Sequence, residues 1–131
     1  MGKKILNFRG LNVYQKAFTF QQEVFQLTKN FPREELFSLT NQIRRSSRSI
    51  AANIAEAWHK RRYQAHFVSK LTDSDAEQAE TQHWLDTALA CGYIASDVHQ
   101  SLLGACLEIG RMLGRMIAEP ESFCKRSNLA A

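Results

Sequence analysis

Six cations crowd one stretch, "QIRRSSRSIAANIAEAWHKRR" from Gln42 to Arg62: Arg44, Arg45, Arg48, Lys60, Arg61 and Arg62. A guanidinium presents planar N–H forks that match phosphate oxygens. Several on one surface give an affinity that is steep in salt and indifferent to base sequence. Arg111 and Arg115 are candidates to extend such a surface. The plainer chemistry is internal pairing: Asp75, Glu77 and Glu80 stand on the next predicted helix and could make the same arginines a solvated face. Glu56 precedes Lys60 by four residues, a helix pair worth about 0.2–0.5 kcal/mol. The sequence carries no helix-turn-helix, zinc-finger or RNP-type motif, so any nucleic acid would be held by backbone or shape.

Catalytic and metal chemistry finds little to work with. The histidines, His59, His66, His83 and His99, include no i, i+4 pair, and no Cys-x-x-Cys occurs. Glu80 and His83 make one Glu-x-x-His step, whereas a di-iron bundle needs two such pairs and two further carboxylates. A phosphate-cradling glycine loop and a nucleophile elbow are both missing. The expectation is a non-enzyme with no metal and no cofactor.

Four helices must position these residues. Val13, Ala17, Phe20, Val24, Leu27 and Phe31 alternate spacings of four and three, and Phe31-Pro32 ends that run. Leu36, Leu39, Ile43, Ser46/Ser47, Ile50, Ile54 and Ala57 mark the second helix, with Glu34 and Glu35 at its positive end. Phe67, Leu71, Ser74, Gln78, Thr81, Leu85 and Ala88 mark a third, from about Gln64 to Cys91, with Gly92 as its left-handed cap. Ser96 is the expected N-cap of the fourth, which carries Val98, Leu102, Ala105, Ile109, Met112 and Met116 and stops at Pro120. Short connections between amphipathic helices predict an all-α, antiparallel up-down-up-down four-helix bundle over residues 11–119. Residues 1–10 form an N-terminal arm and 120–131 a polar, frayed tail. Arg44 and Arg48 flank the isoleucine face on a helical wheel, and Arg45 lies further round. The small residues Ser46, Ser47, Ser49, Ala51 and Ala52 predict close packing. A polar layer with Ser74, Gln78 and Thr81 is expected to include Asn53 and Glu56.

Apolar surface remains beyond one core. Tyr14, Phe18 and Phe25 form a second stripe on the first helix; Leu103, Leu107, Gly110 and Gly114 form one on the fourth. One reading makes them part of a wide core-facing stripe; the sharper one makes them a subunit interface, since exposed stripes of this kind burden a monomer, and it predicts a homo-oligomer. The charge is divided as well. Residues 1–72 hold 13 Lys and Arg against 4 Asp and Glu, a net +9, and residues 73–131 hold 4 against 9, a net −5. Such a field attracts nucleic acid to one face or guides copies onto each other. The 131 residues suffice for a core without metals or disulfides. Cys91, Cys106 and Cys124, odd in number and far apart, read as free thiols of a reducing compartment. "MGKKILNFRG" does not read as a signal peptide, and no apolar run approaches the roughly 20 residues of a membrane span. A cytoplasmic protein with no membrane partner is expected.

"LNVYQKA", "LTKNFPREELFSLTNQIRRSSRSIAANIAEA", Phe67, Leu71, "SDAE" and "LACGYI" together resemble a family. It comprises the small bacterial four-helix-bundle proteins encoded in intervening sequences of 23S ribosomal RNA genes. The resemblance covers about residues 11–117. The chain departs from the family pattern with Ala57 for the usual Gly, "FSL" for "YGL" and "RRSS" for "RRAA". The resemblance implies a homopentamer. The chain is also similar to the accessory variability determinant proteins of diversity-generating retroelements, basic pentamers that bind nucleic acid and a reverse transcriptase. That similarity makes Arg44, Arg45 and Arg48 candidates for a basic surface holding RNA or DNA backbone, and it brings no catalytic residue. The competing expectations are a protein–protein adaptor engaging a partner through Trp84, Tyr14 or Phe18, and a bundle that binds a small molecule or metal.

Overall fold

The computed structural model describes residues 4–124. It is all-α: α1 (Asn12–Thr28), α2 (Leu39–His59), α3 (Gln64–Ala90) and α4 (Ser96–Ala118), with 3-10 turns at Phe8–Gly10, Arg33–Glu35 and Pro120–Ser122. The described residues include no strand and no helix long and apolar enough to cross a membrane. Each helix packs on its neighbour in sequence, and α1 also packs on α4, closing a four-helix bundle.

The helix ends refine the periodicity reading. The first helix stops at Thr28, and buried Phe31 turns its ring toward Tyr93, 5.6 Å away. The second begins only at Leu39, because the chain first makes a 3-10 turn through Glu35. Leu36, expected in the core, is therefore out of register and 43% exposed. Glu35 closes this helix start. Its carboxylate accepts from Ser38 Oγ at 2.6 Å, from the Leu39 amide at 3.3 Å and from the Tyr93 hydroxyl at 2.8 Å. Ser96 is the first helical residue of α4 and not its cap; Ala95 holds the cap position with no side-chain bond. Gly92, at φ +77°, ends α3 in the left-handed region as expected.

The Glu35–Tyr93 bond is a pH-sensitive strut. The Ser38 hydroxyl, the Tyr93 hydroxyl and the Leu39 amide hold the Glu35 carboxyl below its ordinary range. The hydrogen bond to Glu35, then burial and the Glu35 charge, push Tyr93 up to about 12. The tyrosine's contribution is complete below its usual value of about 10 and falls away as pH rises toward about 12. That of Glu35 is complete above its ordinary range and is lost as acid protonates it through its lowered pKa. Wild type should lose thermal stability more steeply than Tyr93→Phe both in acid and above pH ~10. Thermal melts of the two proteins across pH check this; parallel curves would break the link.

The buried face of α3 is Phe67, Leu71, Ser74, Gln78, Thr81, Leu85 and Ala88, the stripe its spacing predicts. Its polar members serve close packing on α2. Ser74 Oγ donates to the Ile50 carbonyl at 2.8 Å, and the Thr81 and Ser46 hydroxyls meet at 2.8 Å. Asn53 and Glu56 stay out of this layer. Asn53 donates back to the Ser49 carbonyl of its own helix, and Glu56 pairs with Lys70 at 3.3 Å rather than with Lys60. On α4 the buried line is Leu102, Cys106, Ile109, Leu113 and Met116. Ala105 and Met112, expected at its centre, turn half-buried toward α1, because this helix fills the groove between two neighbours. Burial pushes the Cys106 thiol up to about 12, which leaves it a small apolar side chain.

The described part of the tail is not frayed. Pro120 is buried, and Phe123 stacks 5.9 Å from Phe67. At the other end Phe8 meets Tyr14 edge-on at 4.9 Å, so the described part of the arm lies against the bundle. The remaining arm and tail residues, 1–3 and 125–131, lie outside the described residues.

Candidate nucleic-acid interface

The six candidate cations fall into two groups. Arg44, Arg45 and Arg48 occupy the first half of α2. Lys60, Arg61 and Arg62 follow its end, about 24 Å further along the axis from Arg44 at 1.5 Å per residue. Within the second group Arg61 serves the fold. Its Nε donates to the Trp58 carbonyl at 2.9 Å, and its guanidinium lies 3.5 Å from the Trp58 ring centroid, closing the helix end. Burial lowers its pKa. Lys60 and Arg62 stay on the surface.

The first group divides again. Arg45 reaches across to α3, with Nη2 at 2.8 Å from Glu80 and 3.3 Å from Glu77. These carboxylates hold its guanidinium more firmly protonated. Glu80 is itself kept below its ordinary range, first by the Trp84 indole N–H at 3.0 Å and then by Arg45. The internal-pairing chemistry therefore describes Arg45. It does not describe Arg44 and Arg48, which turn the other way, toward α1. Arg44 Nε donates to the Thr28 hydroxyl at 2.8 Å. The two guanidinium carbons stand 4.9 and 5.4 Å from the Phe25 ring centroid, and Lys29 Nζ stands 4.8 Å from it. Three cations thus gather on one ring. Among the described residues none of the three has a carboxylate within ion-pair distance. Each contact with the ring is worth about 0.5–1 kcal/mol, while the like charges repel. An anion set among them would gain from all three.

Beside them lies a concavity of about 610 Å³, lined by Arg44, Arg45 and Arg48 together with Leu36, Phe37 and Asn41. Lys29 and Phe37 escaped the sequence reading. Lys29 follows Phe25 by four residues, which signals only a local contact, and the α1–α2 packing that adds the arginines has no trace in spacing. Arg111 and Arg115 belong to α4, which does not pack on α2, so they do not extend this surface within one chain. Arg115 instead lines a separate cavity of about 330 Å³ with Ile5, Met112 and Phe123.

The interface candidates also separate. Phe25 is covered by the cations, and Tyr14 lies between Phe8 and Phe18; Phe18 is 44% exposed. On α4, Leu107 is 45% exposed and Leu103 half-buried. Gly110 is used inside the chain. A Cβ there would stand 3.0 Å from the Gln78 amide nitrogen, so glycine lets α3 and α4 approach. Gly114 faces open space. Trp84, proposed for a protein partner, is half-buried, with His83 against its ring at 4.7 Å. The lone Glu80–His83 step gathers no further ligand: no group of three or more His, Cys, Asp or Glu able to hold a metal occurs among the described residues.

The sequence matches a family model described as 23S rRNA-intervening sequence protein over residues 9–115. Its fold is similar to a crystal structure from Bacteroides thetaiotaomicron, a protein of unknown function from the S23 ribosomal protein family. The TM-score is 0.74, and the sequences are 32% identical over 81% of this chain and 95% of that one. No curated protein matches the chain.

Proposed function

This chain belongs to the 23S rRNA-intervening sequence protein family, whose function is not known, and we propose that it is a non-enzymatic, self-assembling cytoplasmic protein that holds RNA by its phosphates. The observation that carries the reading is the cation cluster of Lys29, Arg44 and Arg48, gathered on Phe25 with no carboxylate of the described residues within ion-pair distance, next to an arginine that has two. Arrays of this kind bind phosphate backbone with affinity that falls steeply as salt rises. A non-enzymatic role fits the use of the acidic residues as struts: Glu35 under Tyr93, Glu80 under Trp84 and Arg45, and Asp86 against His99 at 2.8 Å.

Short connections and sequential packing support the up-down-up-down course. The two apolar stripes support assembly. Their open members are Phe18 on α1 and, on α4, Leu107 with Gly114 facing open space. A patch that must meet a different patch associates head to tail and can close into a ring. The basic first half and acidic second half of the chain would steer it. The family resemblance implies five copies.

Native mass spectrometry should give one species of five 15.0 kDa chains; a monomer would end the assembly half of this reading. Filter binding with two unrelated RNAs should show similar affinities that drop together between low and moderate salt. No retention of either RNA at low salt would end the other half. A protein partner that is lost on Phe18→Ser, with no RNA bound, would select the adaptor instead.

A further inference from the structure

The concavity beside Arg44 and Arg48 also holds an aromatic ring that nothing in the described chain covers. Phe37 is 90% exposed, the most exposed large apolar side chain among the described residues. Its backbone is nevertheless fixed. The Leu36 amide donates to the Arg33 carbonyl at 3.1 Å and the Ser38 amide to the Glu35 carbonyl at 3.0 Å, and the Glu35–Tyr93 bond anchors the turn. A rigidly presented ring with arginines beside it is the arrangement that takes an unpaired base and its phosphates. Stacking is worth about 1–3 kcal/mol per base and tolerates any base, since each has a π-face.

We propose that this concavity binds single-stranded RNA, with a base stacked on Phe37 and the neighbouring phosphates on Arg44 and Arg48. The inference rests on the RNA-binding reading above and narrows it. Duplex RNA would not suit, because its bases already stack on one another and its deep groove admits no side chain. Asn41 and Ser49 line the same concavity and offer the donor and acceptor groups that a ribose 2′-hydroxyl uses. A second copy presenting its α3 fits less well, since the carboxylates of that helix are engaged at home: Asp73 with Lys70, Asp75 with Gln78, Glu77 and Glu80 with Arg45, and Asp86 with His99.

The test compares the full-length wild type with Phe37→Leu, which keeps apolar bulk, and Phe37→Trp, which keeps a stacking face. The probes are a labelled oligouridylate, the same length of oligodeoxythymidylate, and a duplex RNA, all at one low salt concentration. Wild type should prefer oligouridylate to the other two. Phe37→Leu should weaken oligouridylate binding about tenfold and leave duplex binding alone, and Phe37→Trp should restore it. Native mass spectra of both variants should match wild type. Oligouridylate affinity unchanged in Phe37→Leu, while wild type binds RNA, would overturn the stacking site and leave the broader reading standing. No RNA binding by wild type would remove both. Equal affinity for oligodeoxythymidylate would overturn the assignment to RNA. Loss of the assembly in Phe37→Leu would make Phe37 a subunit contact and overturn the proposal.

Discussion

Alanine at both Arg44 and Arg48 should lower affinity for an oligouridylate about a hundredfold at low salt, roughly tenfold for each charge-assisted contact removed. The slope of log affinity against log salt should flatten by about 1.4, since each phosphate contact on a single strand contributes about 0.7. Arg45→Ala is the informative control. Its guanidinium is spent on Glu77 and Glu80, so RNA affinity should change by no more than about twofold, within the range of rearranged surface charge. Its ion pairs are half-exposed and contribute only about 0.2–1 kcal/mol to stability. Fluorescence anisotropy across a salt series on the three proteins settles the matter. Equal losses in Arg45→Ala and in the double variant would mean that general charge, and not the cluster on Phe25, holds the RNA.

Leucine at Ser46 should destabilise the protein by about 3 kcal/mol, at the upper end of the overpacking range. Ser46 is fully buried where α2 and α3 meet, with its hydroxyl 2.8 Å from that of Thr81. A leucine there must displace the helix or force its own rotamer. Ser46→Ala should cost less than about 1 kcal/mol, because the Thr81 hydroxyl keeps a second partner in the Glu77 carbonyl at 2.8 Å. Urea unfolding at a fixed protein concentration separates the two, since an assembly's apparent stability depends on concentration. A costly alanine and a tolerated leucine would mean that the serines are kept for hydrogen bonding and not for smallness.

Ser46 also shows how far the sequence reaches. Its smallness within a regular isoleucine stripe marks a close helix contact, and α3 answers with Ser74, Gln78 and Thr81 at matching intervals. A period near 3.6 is a local property, so it survives in the linear order of residues. The helices, their inward faces and the break at Gly92 are legible for that reason. Leu36 departs from the stripe because a 3-10 turn delays α2 to Leu39, and part of what holds that turn, the Glu35 bond to Tyr93, comes from far along the chain. Ala105 and Met112 leave the centre of their stripe because a helix between two neighbours buries more than one line.

The candidate site was legible in part. Arginine content and spacing singled out the stretch from Gln42 to Arg62, and a helical wheel separated Arg45 from Arg44 and Arg48. The wheel could not say what stood opposite each. The sequence alone determined that this is an all-α chain with a basic second helix. Tertiary packing decided that Arg45 meets carboxylates on α3 while Arg44 and Arg48 meet Phe25 and Lys29 from α1. It also decided that Phe37 stands bare beside them. Side-chain charge is written in the sequence, but the partner that neutralises it is chosen by which helix lies across the groove.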